Sequence, residues 1–171
     1  ASHISTDMLL GVLSPIVEFR HGESGLHLRH IRIITETLLH CLLEVSNKYS
    51  ISAEQQDLIP LASALHDIGK IGIADKILNK PGKLTPEEFE VIKTNSLLGA
   101  EMLQNLDNFG EQPLLQTAYE SARWHHERWD GRGYPDGLKG DEIPNSAQLG
   151  SLADVYDALT SERCYKKSFS H

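Results

Sequence analysis

Apolar residues in this chain recur at intervals of three and four, and no clear period-two alternation stands out. That rhythm matches the 3.6-residue turn of an α-helix rather than the two-residue repeat of a strand. It is clearest over 24–48, where Leu28, Ile31, Ile34, Leu38, Leu42 and Val45 form one broad core-facing stripe. Residues 7–20 form a shorter amphipathic candidate. Ser52 with Gln55, and Thr85 with Glu88, are spaced as capping boxes, and Pro86 suits a first helical position. Pro60 is expected to start or kink a helix that runs to Ile68 and ends at Gly69. Further helices are predicted near 96–106, 113–127 and 146–161. The stretch 128–145 holds four glycines and two prolines and reads as a loop. The expectation is an all-α bundle, one domain over 1–171, with enough chain for a single core.

Composition removes several classes of function. No uninterrupted apolar run reaches the length of a membrane-spanning helix, and the first residues carry no secretory-signal pattern. Cys41 and Cys164 do not form a CxxC pair, so the sequence fits a reducing cytoplasm. A parent protein anchored in a membrane through a region outside this chain is compatible with that reading. The formal charge of −8 argues against a DNA or RNA duplex as partner, since such surfaces are basic. An anionic substrate would need bound cations to reverse the local sign.

Nine histidines is a high count, and their placing matters more than their number. His66-Asp67 precedes Ile68-Gly69-Lys70, and His125-His126 opens a Gly-rich stretch; His27 lies upstream and Asp154 downstream. Imidazole and carboxylate together suit divalent transition metals such as Fe, Mn, Ni or Zn. A metal centre assembled by folding is therefore the leading reading, and hydrolysis of a phosphate ester its most natural chemistry. Each position also has an ordinary structural reading. His27 shares an apolar face with Ile31, Ile34 and Leu38 and is either a ligand or a hydrogen-bonded core residue; Glu23, four residues earlier, points the same way if the helix starts early enough. His66 and Asp67 are ligands or an exposed helix end. His125 and His126, about 100° apart on a helix, are one ligand and one solvated ring, or two ligands at a helix terminus. Asp154 in an apolar helix wants a cation or a hydrogen-bond donor. Asp157, one turn on, reads as an ordinary structural residue.

Taken together, ESGLHLRH (23–30), HDIGKIGIADKILNKPGKLTPEEFEVIK (66–93), GAEML (99–103), HHERWDGRGYPDGLKGDEIP (125–144) and LADVYDALTSERCYKK (152–167) resemble the HD-GYP family, a subgroup of the HD metal-dependent phosphohydrolases. Gly133-Tyr134-Pro135 is the motif that gives the family its name. The resemblance runs from about residue 18 to residue 167. It implies an all-helical HD domain with metals held between helices and hydrolysis of cyclic di-GMP to pGpG or GMP. By position, His27, His66, Asp67 and Asp154 match a first metal site. Asp67 also bridges to a second, completed by His125 and His126, and Glu23 matches a helper of a third ion. Lys70 matches a lysine beside the reacting phosphate. Arg163 and Lys166 match phosphate-gripping positions, and Tyr134 sits in a loop, 131–140, expected to close over the substrate.

This chain departs from the family at Asn95, where the pattern has a ligating histidine, at Gln148, where arginine is common, and at Cys164, where proline is common. It also stops at His171, where the family continues into further helices, which reads as a fragment or a shortened member. One to two ions are expected, with a signalling protein or fused sensor domain as a possible partner. Two other readings stand beside the phosphodiesterase: a non-catalytic module binding a nucleotide or protein, favoured by Asn95, and an HD phosphohydrolase of another nucleotide.

Overall fold

The computed structural model describes residues 26–160. The candidate helix over 7–20 lies outside that range. Six α-helices and three short 3-10 turns account for the regular structure, and the described residues contain no strand. Helix α1 spans Leu26–Val45, α2 Ala53–Ser63, α3 Asp75–Leu78, α4 Pro86–Gln104, α5 Pro113–Trp124 and α6 Asn145–Thr160. None is long and apolar enough to cross a membrane. The all-α architecture expected from periodicity is the one observed.

Both capping boxes form. Ser52 accepts from Gln55 N while Gln55 reaches back to Ser52 N, and Thr85 and Glu88 do the same at α4 with Pro86 at the first position. Each satisfies two backbone N–H groups that a helix start would otherwise leave open. The start expected at Pro86 is the one observed, and the helix expected near 96–106 is not a separate one: it is the second half of the single helix Pro86–Gln104.

A second correction concerns 60–69. Pro60 lies inside α2, which starts at Ala53, and neither begins the helix nor ends it. The α-helix stops at Ser63, a tight turn carries the chain over 64–67, and Ile68–Gly72 is a 3-10 turn. Gly69 therefore does not terminate an α-helix. It permits contact: a Cβ on Gly69 would collide with the backbone of Asn95 and Gly99 in α4. A third correction is Val45, which is 81% exposed; α1 is buried along Leu28, Ile31, Thr35 and Leu39.

Helix α2 is the hub, packed against α1, α5 and α6, while α1 pairs with α6 and α4 with α5. Ala62, Leu65, Leu103, Ala118 and Ala122 form one core cluster and Leu39, Ile51, Ile59 and Leu149 another. The small residues on α2, α4 and α5 let the helices approach closely, so the polar turn 64–67 is carried into the interior between them.

Candidate metal centre

Five elements each deliver one or two polar side chains to that interior. His27 comes from the first turn of α1, His66 and Asp67 from the turn after α2, and Asn95 from α4. His125 and His126 follow the end of α5, and Asp154 projects from α6. His125 is the C-cap of α5, so the backbone leaves the helix there. Both adjacent rings can then face inward, which the alternative of a helix terminus required.

The histidines are held in one pattern. His66 Nδ1 donates to Ser63 O at 2.7 Å, and His125 Nδ1 to the carbonyls of Ser121 and Ala122 at 3.0 Å. His27 Nδ1 donates to Asp157 Oδ2 at 2.6 Å. Carbonyl and carboxylate oxygens only accept, so Nδ1 carries hydrogen in each and Nε2 is the atom turned to the centre. Nε2 of His66 and Nε2 of His125 are buried without a hydrogen-bond partner. Buried polar atoms are rarely left so, and a missing cation is one recognised reason.

Two groups of donors result. His27, His66 and Asp154 offer ligand atoms within 4.8 Å of one another, and so do Asp67, His125 and His126. Asp67 stands between the groups. Its Oδ2 lies 3.2 Å from His66 Nε2, and its Oδ1 lies 3.6 Å from His125 Nε2. His27 Nε2 is 3.6 Å from Asp154 Oδ1. Lys70 Nζ is 2.7 Å from Asp67 Oδ2. Imidazole with carboxylate, in two triads with Asp67 lying between them, fits one or two divalent transition ions.

The carboxylates of the centre favour positive charge on their neighbours. Burial opposes a charged His66, yet the neighbouring Asp67 and, further off, Asp154 outweigh it and raise the imidazole to about 9. Burial likewise opposes ionisation of Asp67, but His66 and Lys70 hold it well below the usual carboxylate range. His126 moves the other way, down to about 3, through burial and then the charge of His125. It stays neutral and able to ligate. Burial, then Asp67, pushes the Tyr134 phenol up to about 12, so it remains a donor. The Tyr134 ring stacks on His126 at 4.7 Å.

Asn95 is 1% exposed and turns its amide nitrogen, not its oxygen, to the centre: Nδ2 donates to Asp67 Oδ1 at 2.7 Å. An ionised carboxylate only accepts, so beside Asp67 the NH2 group wins, and Asn95 Oδ1 is left buried without a partner.

The Gly-rich loop is strapped down. Buried Glu127 accepts from the backbone N–H of Asp136 and Gly137 at 2.7 and 3.0 Å. Asp136 accepts from Arg123 at 2.8 and 3.0 Å and from Trp124 Nε1 at 2.7 Å. Tyr134 is thus already placed against His126, where the sequence suggested a loop that closes. Sequence reasoning missed Glu127 as this anchor, and passed over Asp157 as a partner of His27; the three-residue spacing of Asp154 and Asp157, which puts both on one helix face, was the available signal. Gln148 donates to Ile143 O, bracing the loop's exit. Glu23, Arg163, Cys164 and Lys166 lie outside the described residues.

Residues 14–171 match the family model described as HD domain. A probable cyclic di-GMP phosphodiesterase of Vibrio cholerae serotype O1 is 44% identical over 96% of this chain and 38% of that protein. A cyclic di-GMP phosphodiesterase of Thermotoga maritima is 40% identical over 92% of this chain and 40% of that protein. A 3'3'-cGAMP-specific phosphodiesterase 2 of Vibrio cholerae is 41% identical over 90% and 27%, respectively. The chain spans well under half the length of these relatives.

Proposed function

The chain belongs to the HD domain family, in its HD-GYP branch, and from that premise we propose that it is a metal-dependent phosphodiesterase that opens cyclic di-GMP to pGpG or GMP. The observation that carries the reading is the pair of Nε2 atoms of His66 and His125, buried with no hydrogen-bond partner and turned to either side of Asp67. Such atoms are costly without an ion and are the natural ligands of one.

His27, His66 and Asp154 would hold a first ion, Asp67, His125 and His126 a second, with Asp67 shared. Bound divalent ions supply Lewis acidity, drawing charge from phosphoryl oxygens and lowering the pKa of water toward about 7. The chain's own groups do the rest. Water attacks phosphorus in line with the leaving ribose oxygen. Lys70, one turn from Asp67, offsets charge on the phosphoryl oxygens; positioning and electrostatics carry most of the catalysis in such transfers. The Tyr134 phenol, protonated and fixed by its stack on His126, donates a hydrogen bond to the substrate. Arg163 and Lys166 grip the phosphates of the cyclic dinucleotide, a role that rests on the family motif alone. A cytoplasmic setting and a signalling partner or fused sensor domain complete the proposal.

The test is turnover. The domain loaded with Mn²⁺ or Fe²⁺ should release pGpG or GMP from cyclic di-GMP, and a chelator should stop it. No hydrolysis by fully loaded protein that still binds the nucleotide would favour a second reading, a non-catalytic binding module. One observation supports that alternative: the Asn95 amide already occupies Asp67 Oδ1, the oxygen on the side of the second triad. Relatives named for 3'3'-cGAMP make that dinucleotide the first alternative substrate to assay.

A further inference from the structure

We propose that Asp157 is a positioning residue for the first triad: its two carboxylate oxygens hold the Nδ1–H groups of His27 and His30 together, and so fix which nitrogen His27 turns to the ion. The inference rests on the metal reading of His27 given above.

Asp157 is 3% exposed on α6, and its partners stand on α1, 130 and 127 residues earlier in the chain. His27 and His30 are one turn apart, so both project from the same side of α1. Oδ2 takes His27 Nδ1 at 2.6 Å and Oδ1 takes His30 Nδ1 at 3.1 Å. His27 is buried, whereas the His30 side chain is 47% exposed and forms the outer end of the arrangement. Both oxygens of Asp157 thus face imidazole nitrogens, and while Asp157 Oδ2 holds His27 Nδ1, Nε2 is the atom left toward Asp154.

The consequence falls on His27 Nε2. His66 and His125 have their tautomer set by main-chain carbonyls of their own helices. The Nδ1 of His27 is held instead by Asp157, across the α1–α6 interface. Carboxylate–histidine pairs of this kind orient the ligand and raise its basicity, and removing the outer partner typically costs about 10- to 100-fold in metal affinity. An amide cannot replace the carboxylate. It offers one acceptor oxygen, and its NH2 group must oppose the second Nδ1–H.

Nitrogen-15 NMR of the ion-free wild-type chain reads the tautomer directly. His27 should be found with hydrogen on Nδ1, and in Asp157→Asn the form with hydrogen on Nε2 should gain population. Calorimetric titration with Zn²⁺ reads the effect on binding. It is run in the wild type and in a His125→Ala chain that retains only the first triad. In both backgrounds Asp157→Asn should weaken the first triad by about 10- to 100-fold, with the circular-dichroism melting curve still cooperative. In the chain with both triads, binding at Asp67, His125 and His126 should not change. Unaltered first-triad affinity in a folded Asp157→Asn chain, equal loss at both triads, or a wild-type His27 with hydrogen on Nε2 would each overturn the proposal. A wild type that takes up no Zn²⁺ contradicts the metal reading itself, and the NMR tautomer then still decides the role of Asp157.

Discussion

At the residue scale the centre is a competition for Asp67. His66, Lys70 and the Asn95 amide already surround it, so an ion must displace a hydrogen bond at Oδ1 and a proton on His66. Asn95→His replaces the competing amide with an imidazole. We expect metal content to rise by about one ion per chain, since a ligand is gained where a donor to the carboxylate is lost; elemental analysis giving the same content in both chains contradicts this. The proton gives a pH dependence. His66 is raised in the folded chain to about 9 from an ordinary 6.5, so the folded state holds more protons between those values. Its contribution to ion-free stability is complete below pH 6.5 and is lost as pH rises through 9. Ion uptake in that window should release about one proton from His66. Calorimetry in buffers of different ionisation enthalpy measures this, and a buffer-independent heat would contradict it.

Elements explain why these residues meet. The 3-10 turn Ile68–Gly72 rests on α4 so closely that only glycine fits at 69, and this contact seats Asp67 beside Asn95. Gly69→Ala should therefore force the turn from α4 and destabilise the chain by about 1–3 kcal/mol, the usual range for overpacking. Chemical denaturation measures it, and a wild-type midpoint would mean the contact is looser than described. Much of this level was legible in the sequence. The capping boxes at Ser52 and Thr85 rest on local spacing, and local rules found them. His66, Asp67, His125, His126 and Asp154 stood out in the sequence as clustered imidazoles and carboxylates, and the fold brings them together in two groups with His27. What escaped was set by packing between distant segments: Gly69 as a contact rather than a helix stop, and Asp157 reaching across to α1. The direction of the Asn95 amide escaped as well, since only a neighbour in space decides it.

For the whole molecule, the acidic balance and the cationic demand of the centre belong together. A chain of net charge −8 repels a cyclic dinucleotide unless ions are bound, so metal loading and nucleotide binding should be coupled. The matched relatives are all more than twice as long as the stretch they share with this chain. An ion that binds only the folded state adds stability, about 2.7 kcal/mol at a hundredfold excess over its dissociation constant. The most direct measurement is metal content, by elemental analysis of the purified wild type and of Asp67→Ala, with thermal melting alongside. The account predicts at least one transition-metal ion per wild-type chain, a much lower content in Asp67→Ala, and a lower melting temperature for that variant. Equal metal in the two proteins would contradict it.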